Sequence, residues 1–194
     1  MSVLSTLLLL APLTWGATVA YRALGDRTSP LAAGLLVAAV VASFALVAAD
    51  HPSFAIASGI LGAHLLGLWL IDAELSEVPD LLTIPLVITG LIHAWWSLDA
   101  LLPHAATAGT LGLTLGFLSW RRPDLIGSGD VLIIAGLGAW LGPLGTPDAL
   151  MIAALALAAF MLLHARRHMP FAPALGLGGW TVWLFGPVLS QTMM

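Results

Sequence analysis

Apolar runs of roughly 16 to 20 residues recur along the whole chain, and that is about the length a helix needs to cross the hydrocarbon of a bilayer. They fall at roughly 3–20, 31–49, 52–72, 84–99, 104–120, 131–145, 149–165 and 171–190. Inside lipid the backbone must satisfy its own hydrogen bonds, so the runs predict an all-α, polytopic integral membrane helical bundle of about eight transmembrane helices. Composition agrees, because 60% of the 194 residues are hydrophobic and 8% are charged, too little charge to coat a water-soluble surface. A chain of this size is expected to form a single membrane domain, 1–194.

Turn and breaker residues mark the ends of the runs: Asp50-His51-Pro52, Val78-Pro79-Asp80, Leu102-Pro103, Arg122-Pro123-Asp124, Thr146-Pro147-Asp148 and Met169-Pro170. Residues 3–20 have no basic residue before them, and the first arginine, Arg22, follows them. That order predicts an uncleaved first span with its N-terminus outside. All the basic side chains are arginines and they occupy three connections: Arg22 and Arg27, Arg121 and Arg122, Arg166 and Arg167. Alternating spans put the three connections on one side, which the positive-inside rule makes the cytoplasm. With no cysteine there is no disulfide or thiolate metal site. A net charge of -4 with no basic stripe argues against nucleic acid as a partner.

Two carboxylates stand out against this apolar background. Asp72 closes the third run, and Asp130 opens the sixth within Gly127-Ser128-Gly129-Asp130, a GxGD motif. A carboxylate at the membrane boundary is costly and is by default a functional candidate. The same alternation of spans brings both to the cytoplasmic side. Two carboxylates sharing one proton are what an aspartyl protease requires, the ionised one activating water and the protonated one donating to the scissile carbonyl. Each also has a plainer reading: Asp130 could cap the span it opens, and Asp72 could be an interfacial residue.

The surroundings of both aspartates resemble the type IV prepilin peptidases. Asp72 is followed eight positions later by Asp80 in Val78-Pro79-Asp80, then by Leu82-Thr83-Ile84-Pro85-Leu86 and Gly90-Leu91. This is similar to the family's first active-site block. Gly127-Ser128-Gly129-Asp130-Val131 with Gly138-Ala139-Trp140-Leu141-Gly142 is similar to its GxGD block, and Pro170-Phe171-Ala172-Pro173 looks like its Pro-Phe-Gly-Pro. The resemblance implies a peptidase core at 52–175 with Asp72 and Asp130 as the catalytic pair. Gly127, Gly129 and Pro79 are the residues that support the motifs. It further implies a multi-pass inner-membrane protein whose site opens to the cytoplasm, with prepilins or pseudopilins as substrates, the lipid bilayer as surroundings, and neither metal nor other cofactor.

The chain also departs from that pattern. Leu132 stands where the family usually has lysine, two residues after the GxGD aspartate. Bifunctional members carry a cysteine-rich cytoplasmic segment and methylate the cleaved pilin; this chain has no cysteine and a short loop from Arg22 to Pro30, which fits compact members that only cleave. Asp80 maps to the Pro-Asp position of the block, where it reads as the N-cap of the fourth span. With Glu74 and Glu77 it forms an acidic cluster that would attract a basic leader peptide, or is simply a solvated loop.

The remaining polar residues read as structural. His164 and His168 flank Arg166-Arg167 with no carboxylate beside them, which suits interfacial anchoring better than metal binding. His64 and His93 lie inside spans, either hydrogen-bonded within the bundle or tuning the site. Gly112-x-x-x-Gly116 and Gly138-x-x-x-Gly142 resemble small-residue packing faces, and Trp95 and Trp96 suit an interfacial belt. Rival readings are another GxGD protease of the preflagellin kind, and a non-enzymatic membrane assembly partner.

Overall fold

A computed structural model describes residues 52–75, 78–164 and 171–192. The runs expected at 3–20 and 31–49 lie outside the described residues, as do Arg22, Arg27, Glu77, Arg166, Arg167 and His168. The described part is all-helical: α1 (Pro52–Leu75), α2 (Asp80–Leu98), α3 (Leu101–Arg121), α4 (Ser128–His164) and α5 (Ala172–Thr192). Three stretches are long and apolar enough to cross a membrane, Asp80–Leu98, Leu101–Arg121 and Ser128–Leu162, and Ile56–Asp72 is a shorter apolar helix. The chain is therefore a membrane protein, and its exposed apolar residues are where lipid would lie. Leu81, Ile84, Ile88, Ile92 and Trp95 make one such stripe down α2, at the spacing of a single helix face.

Two expected boundaries change. Asp80 was expected to cap α2, but the capping position is taken by Pro79, whose φ of -75 and ψ of 132 are extended and whose carbonyl accepts the first helical N–H groups. Asp80 is the first helical residue and is exposed, so its carboxylate meets the helix only through the positive N-terminal dipole.

The second change concerns Thr146-Pro147-Asp148, expected to separate two spans. A straight helix as long as α4 would reach about 55 Å, well beyond a hydrocarbon core of about 30 Å. The break falls instead at Gly142, which has φ 65 and ψ -167. Residues with a Cβ rarely adopt that φ, and a side chain there would also run into the His104 ring. Pro143 follows as the first residue of the second limb, where a missing N–H costs nothing. Thr146 is buried and its hydroxyl donates to the Gly142 carbonyl, which ties the new turn together.

Close contacts give the directions of the helices. Leu86 lies over Gly136 and Trp140 beside Gly90, so α2 and the first limb of α4 run the same way. Ala108 meets Gly138 and Ala135 meets Gly112, so α3 runs opposite to that limb. Small residues at these crossings let the backbones approach closely, as the two Gly-x-x-x-Gly patterns suggested. The second limb runs antiparallel to α5, with Gly178 against Ala149 and Gly145 against Val182.

The core is formed by Leu61, Leu65, Leu68 and Ile71 of α1, Leu82 and Leu86 of α2, Ile133, Leu137 and Trp140 of α4, and Leu175 and Trp183 of α5. Polar links cross between helices within it. The Trp140 indole N–H donates to the Leu86 carbonyl at 2.9 Å and that of Trp183 to Ser58 Oγ at 2.9 Å. His104 Nδ1 lies 2.9 Å from the Ala139 carbonyl. Bonds of this kind hold helices together in lipid, where the hydrophobic effect between them is absent.

Candidate active site

At one end of the bundle the close of α1, the openings of α2, α4 and α5, and the short stretch before α2 converge. The contact that joins the first two motif blocks is between Val78 and Gly129. A Cβ built on Gly129 would sit 2.4 Å from the Val78 Cβ, a separation no pair of carbons tolerates, so only glycine lets the start of α4 come this close. The second glycine of GxGD is therefore a packing requirement of the first block. Gly127 leads into α4 and its carbonyl accepts the Val131 N–H at 3.2 Å.

Asp130 lies in the first turn of α4 and is half-buried. A Cβ built on Gly127 would lie 3.5 Å from Asp130 Oδ2, so the acid folds back over the residue that leads into the helix. Asp130 is thus the third residue of the helix and does not occupy the cap itself. An acid here also sits at the favourable, positive end of its helix.

Asp72 is placed very differently. It occupies the C-terminal part of α1, where the helix dipole is unfavourable to a negative charge, and it is 5% exposed. Nothing in the stability of α1 calls for a carboxylate there. Its support comes from across the bundle, since the backbone N–H of Ala172 donates to Asp72 Oδ2 at 2.9 Å. Ala172 is the first residue of α5, whose leading amides have no partner within the helix and make a natural anion site. Asp72 and Asp130 are close enough for the charge of one to act on the carboxyl of the other.

The block around Pro170 to Pro173 carried no assigned role from sequence. Part of it meets Asp72, through the Ala172 amide. Phe171 leads into α5, with its carbonyl accepting the Leu175 N–H at 3.1 Å, and Ala172 is 2% exposed. The signal available beforehand was the pair of prolines, which favour the beginning of a helix and hence free amides.

The other expected site residues are not drawn into this centre. Asp80 points outward at its rim, and Glu74 lies on the last turn of α1. Leu132 is partly buried on α4. His64 accepts or donates at Nδ1 against the Ile60 carbonyl on its own helix, 2.8 Å away. His93 is stacked on Trp140 at 5.2 Å and set edge-on to Trp183 at 5.3 Å, toward the opposite end of the bundle. Both histidines pack within the bundle, and the buried Nε2 of His93 has no hydrogen-bond partner among the described residues.

Comparison with known proteins gives a consistent result. Residues 59–162 match the sequence profile of the type IV leader peptidase family. The chain is 36% identical over 135 residues to the type 4 prepilin-like proteins leader peptide-processing enzyme of Escherichia coli, covering 65% of this chain and 50% of that protein. It is 36% identical over 169 residues to the prepilin leader peptidase/N-methyltransferase of Burkholderia pseudomallei, covering 80% and 53%. With the protein of the same description from Pseudomonas aeruginosa it is 30% identical over 197 residues, covering 91% and 68%. The chain spans about half the length of the first two relatives. No solved structure matches it.

Proposed function

The chain belongs to the type IV leader peptidase family, and on that footing we propose that it is an aspartyl endopeptidase of the inner membrane that removes basic leader peptides from prepilins or pseudopilins at the cytoplasmic face. Asp72 and Asp130 form the catalytic pair in this reading, and the bundle has about eight spans once the expected N-terminal runs are included. The observation that carries it is the convergence of three separated sequence blocks on one buried carboxylate centre, through the Val78–Gly129 contact and the Ala172 hydrogen bond to Asp72.

The chemistry follows from two acids sharing one proton. The ionised carboxylate takes a proton from water as its oxygen attacks the scissile carbonyl carbon. The protonated partner gives its proton to the carbonyl oxygen. Collapse of the tetrahedral intermediate breaks the C–N bond: the proton taken from water passes to the leaving amine, and one hydroxyl proton of the intermediate returns to the partner carboxylate as the C=O bond re-forms. The titration belongs to the pair and not to either residue. The Ala172 amide offsets negative charge on Asp72 and fixes the orientation of that carboxylate.

The acidic cluster would act before the chemistry. Glu74, Glu77 and Asp80 offer negative charge where a basic leader arrives, which favours encounter and ground-state binding. Replacing Asp72 or Asp130 by asparagine keeps the side-chain size and removes the titrating group. Each replacement should lower cleavage of a co-expressed prepilin by about a hundredfold or more while leaving membrane insertion intact, and Asp80→Asn should be milder. Substantial cleavage by either of the first two variants would overturn the assignment.

A further inference from the structure

The C-terminal end of α3 carries two adjacent arginines that behave differently. Arg122 turns to Asp124, its Nε 3.4 Å from Oδ1. Arg121 makes no ion pair among the described residues and turns to its own helix, where its guanidinium carbon lies over the Phe117 ring, 5.1 Å from the centroid, and over the Trp120 ring at 5.4 Å. The two rings are 6.0 Å apart and tilted by 50°, and together they make a shelf under the cation. Attraction to a ring face draws on the positive charge and uses none of the N–H groups. Arg121 is exposed, so these donors are left for a partner outside the bundle.

The rest of this helix face says what the partner is. Leu113, Phe117 and Trp120 are all exposed, and their spacing sets them on one side of α3 with Arg121 at its end. α3 is long and apolar enough to cross the membrane, so this side meets hydrocarbon and its end reaches the depth of the lipid headgroups, where tryptophan also collects. Leu125, in the connection to α4, is exposed near the same end, which suits a connection lying against the bilayer surface. An apolar stripe closed by an unpaired cation is complementary to a molecule with a hydrocarbon tail and an anionic head. A small anion would satisfy the charge and leave the stripe unused.

We propose that Arg121 binds an anionic phospholipid, with the phosphate accepting hydrogen bonds from the guanidinium and an acyl chain lying along Leu113, Phe117 and Trp120. Arginine suits a phosphate because its planar fork can donate two parallel bonds, and the ring shelf holds the fork in place beforehand, which lowers the ordering cost of binding. Any basic residue near an anionic leaflet gains about fivefold in affinity. The proposal is narrower, since of two neighbouring arginines it gives the lipid to one. The head lies beside the connection that opens α4, because Gly116, about a turn and a half before Arg121, packs against Val131. The assignment is independent of the roles given to Asp72 and Asp130.

The test is native mass spectrometry of the full chain in detergent, titrated with phosphatidylglycerol and in parallel with phosphatidylcholine. The wild type should prefer phosphatidylglycerol by about fivefold or more. Arg121→Gln and Arg122→Gln remove the same charge, so a difference between them belongs to the site and not to net charge. Arg121→Gln should abolish the preference, and Arg122→Gln should leave it within about twofold of wild type. Replacing Phe117 and Trp120 together by leucine keeps the stripe apolar but removes the shelf, and should weaken the preference by about threefold. All four side chains are exposed, so the variants should fold as the wild type does. Equal losses in the two glutamine variants, or a wild type without a preference, would overturn the site. A millimolar excess of inorganic phosphate should leave the lipid bound; its displacement would show that Arg121 takes a free anion, and would overturn the lipid assignment.

Discussion

The backbone amide of Ala172 donates to Oδ2 of Asp72 at 2.9 Å, joining the first turn of α5 to the last turns of α1 across 100 residues of sequence. One carboxylate of the centre is therefore held by a backbone group, and no side-chain substitution at Ala172 can remove that bond except proline.

Ala172→Pro is for this reason a sharp test of the contact. Proline at the first position of a helix costs the helix little, yet it deletes the N–H. A hydrogen bond to a charged group contributes about 1.5–3 kcal/mol, so kcat/KM for a prepilin should fall about ten- to a hundredfold. Ala172→Gly keeps the amide and should stay near wild type.

Gly129→Ala should damage both stability and cleavage, because its methyl would fall on Val78. Forcing a group into a filled contact typically costs about 1–3 kcal/mol. Val78→Gly made together with it should recover much of the loss, by a coupling of about 1 kcal/mol or more, read as thermal unfolding in detergent alongside cleavage. Additive behaviour in the double variant would show that Gly129 is required for some reason other than this contact.

The proposed orientation can be read by cysteine labelling, and the native chain has no cysteine to remove. Ser128, exposed at the start of α4, should label from the cytoplasmic side, and Leu144, which is 86% exposed just past the Gly142 turn, from the opposite side. Thr146, in the expected turn, is 1% exposed and would label poorly. Labelling of Ser128 and Leu144 from one side would contradict a limb that crosses the membrane between them.

Neutralising Glu74 and Glu77 together should raise KM for a lysine-rich leader more than it lowers kcat, since charges that attract the leader act on encounter and ground-state binding. The effect should shrink with added salt, because exposed charges are screened over about 8 Å at physiological ionic strength. A salt-independent penalty, or one equally large for a leader without basic residues, would mean that the loop acts by shaping the surroundings of Asp72.

Much of this protein could be read without coordinates because its strongest signals are local. Apolar run length selects membrane helices wherever it occurs, and proline and glycine clusters ended most of them within a few residues of α1, α2, α3 and α5. The two aspartates stood out likewise, since each sits in a recognisable block at a span end. The reading failed where a local signal competes with tertiary packing. Thr146-Pro147-Asp148 looked like a turn, but prolines are tolerated near a helix start, and the turn went to Gly142, where a positive φ and the neighbouring His104 ring exclude a side chain. Asp80 looked like a cap, but the chain enters α2 through the extended Pro79. What only the tertiary structure decided is how distant groups meet: the α5 amide on Asp72, Val78 on Gly129, and the Trp140 indole on the Leu86 carbonyl. None of these has a signature in the nearby sequence, because a hydrogen bond or a close contact across the bundle is set by helix direction and crossing distance, which depend on all the side chains packed between.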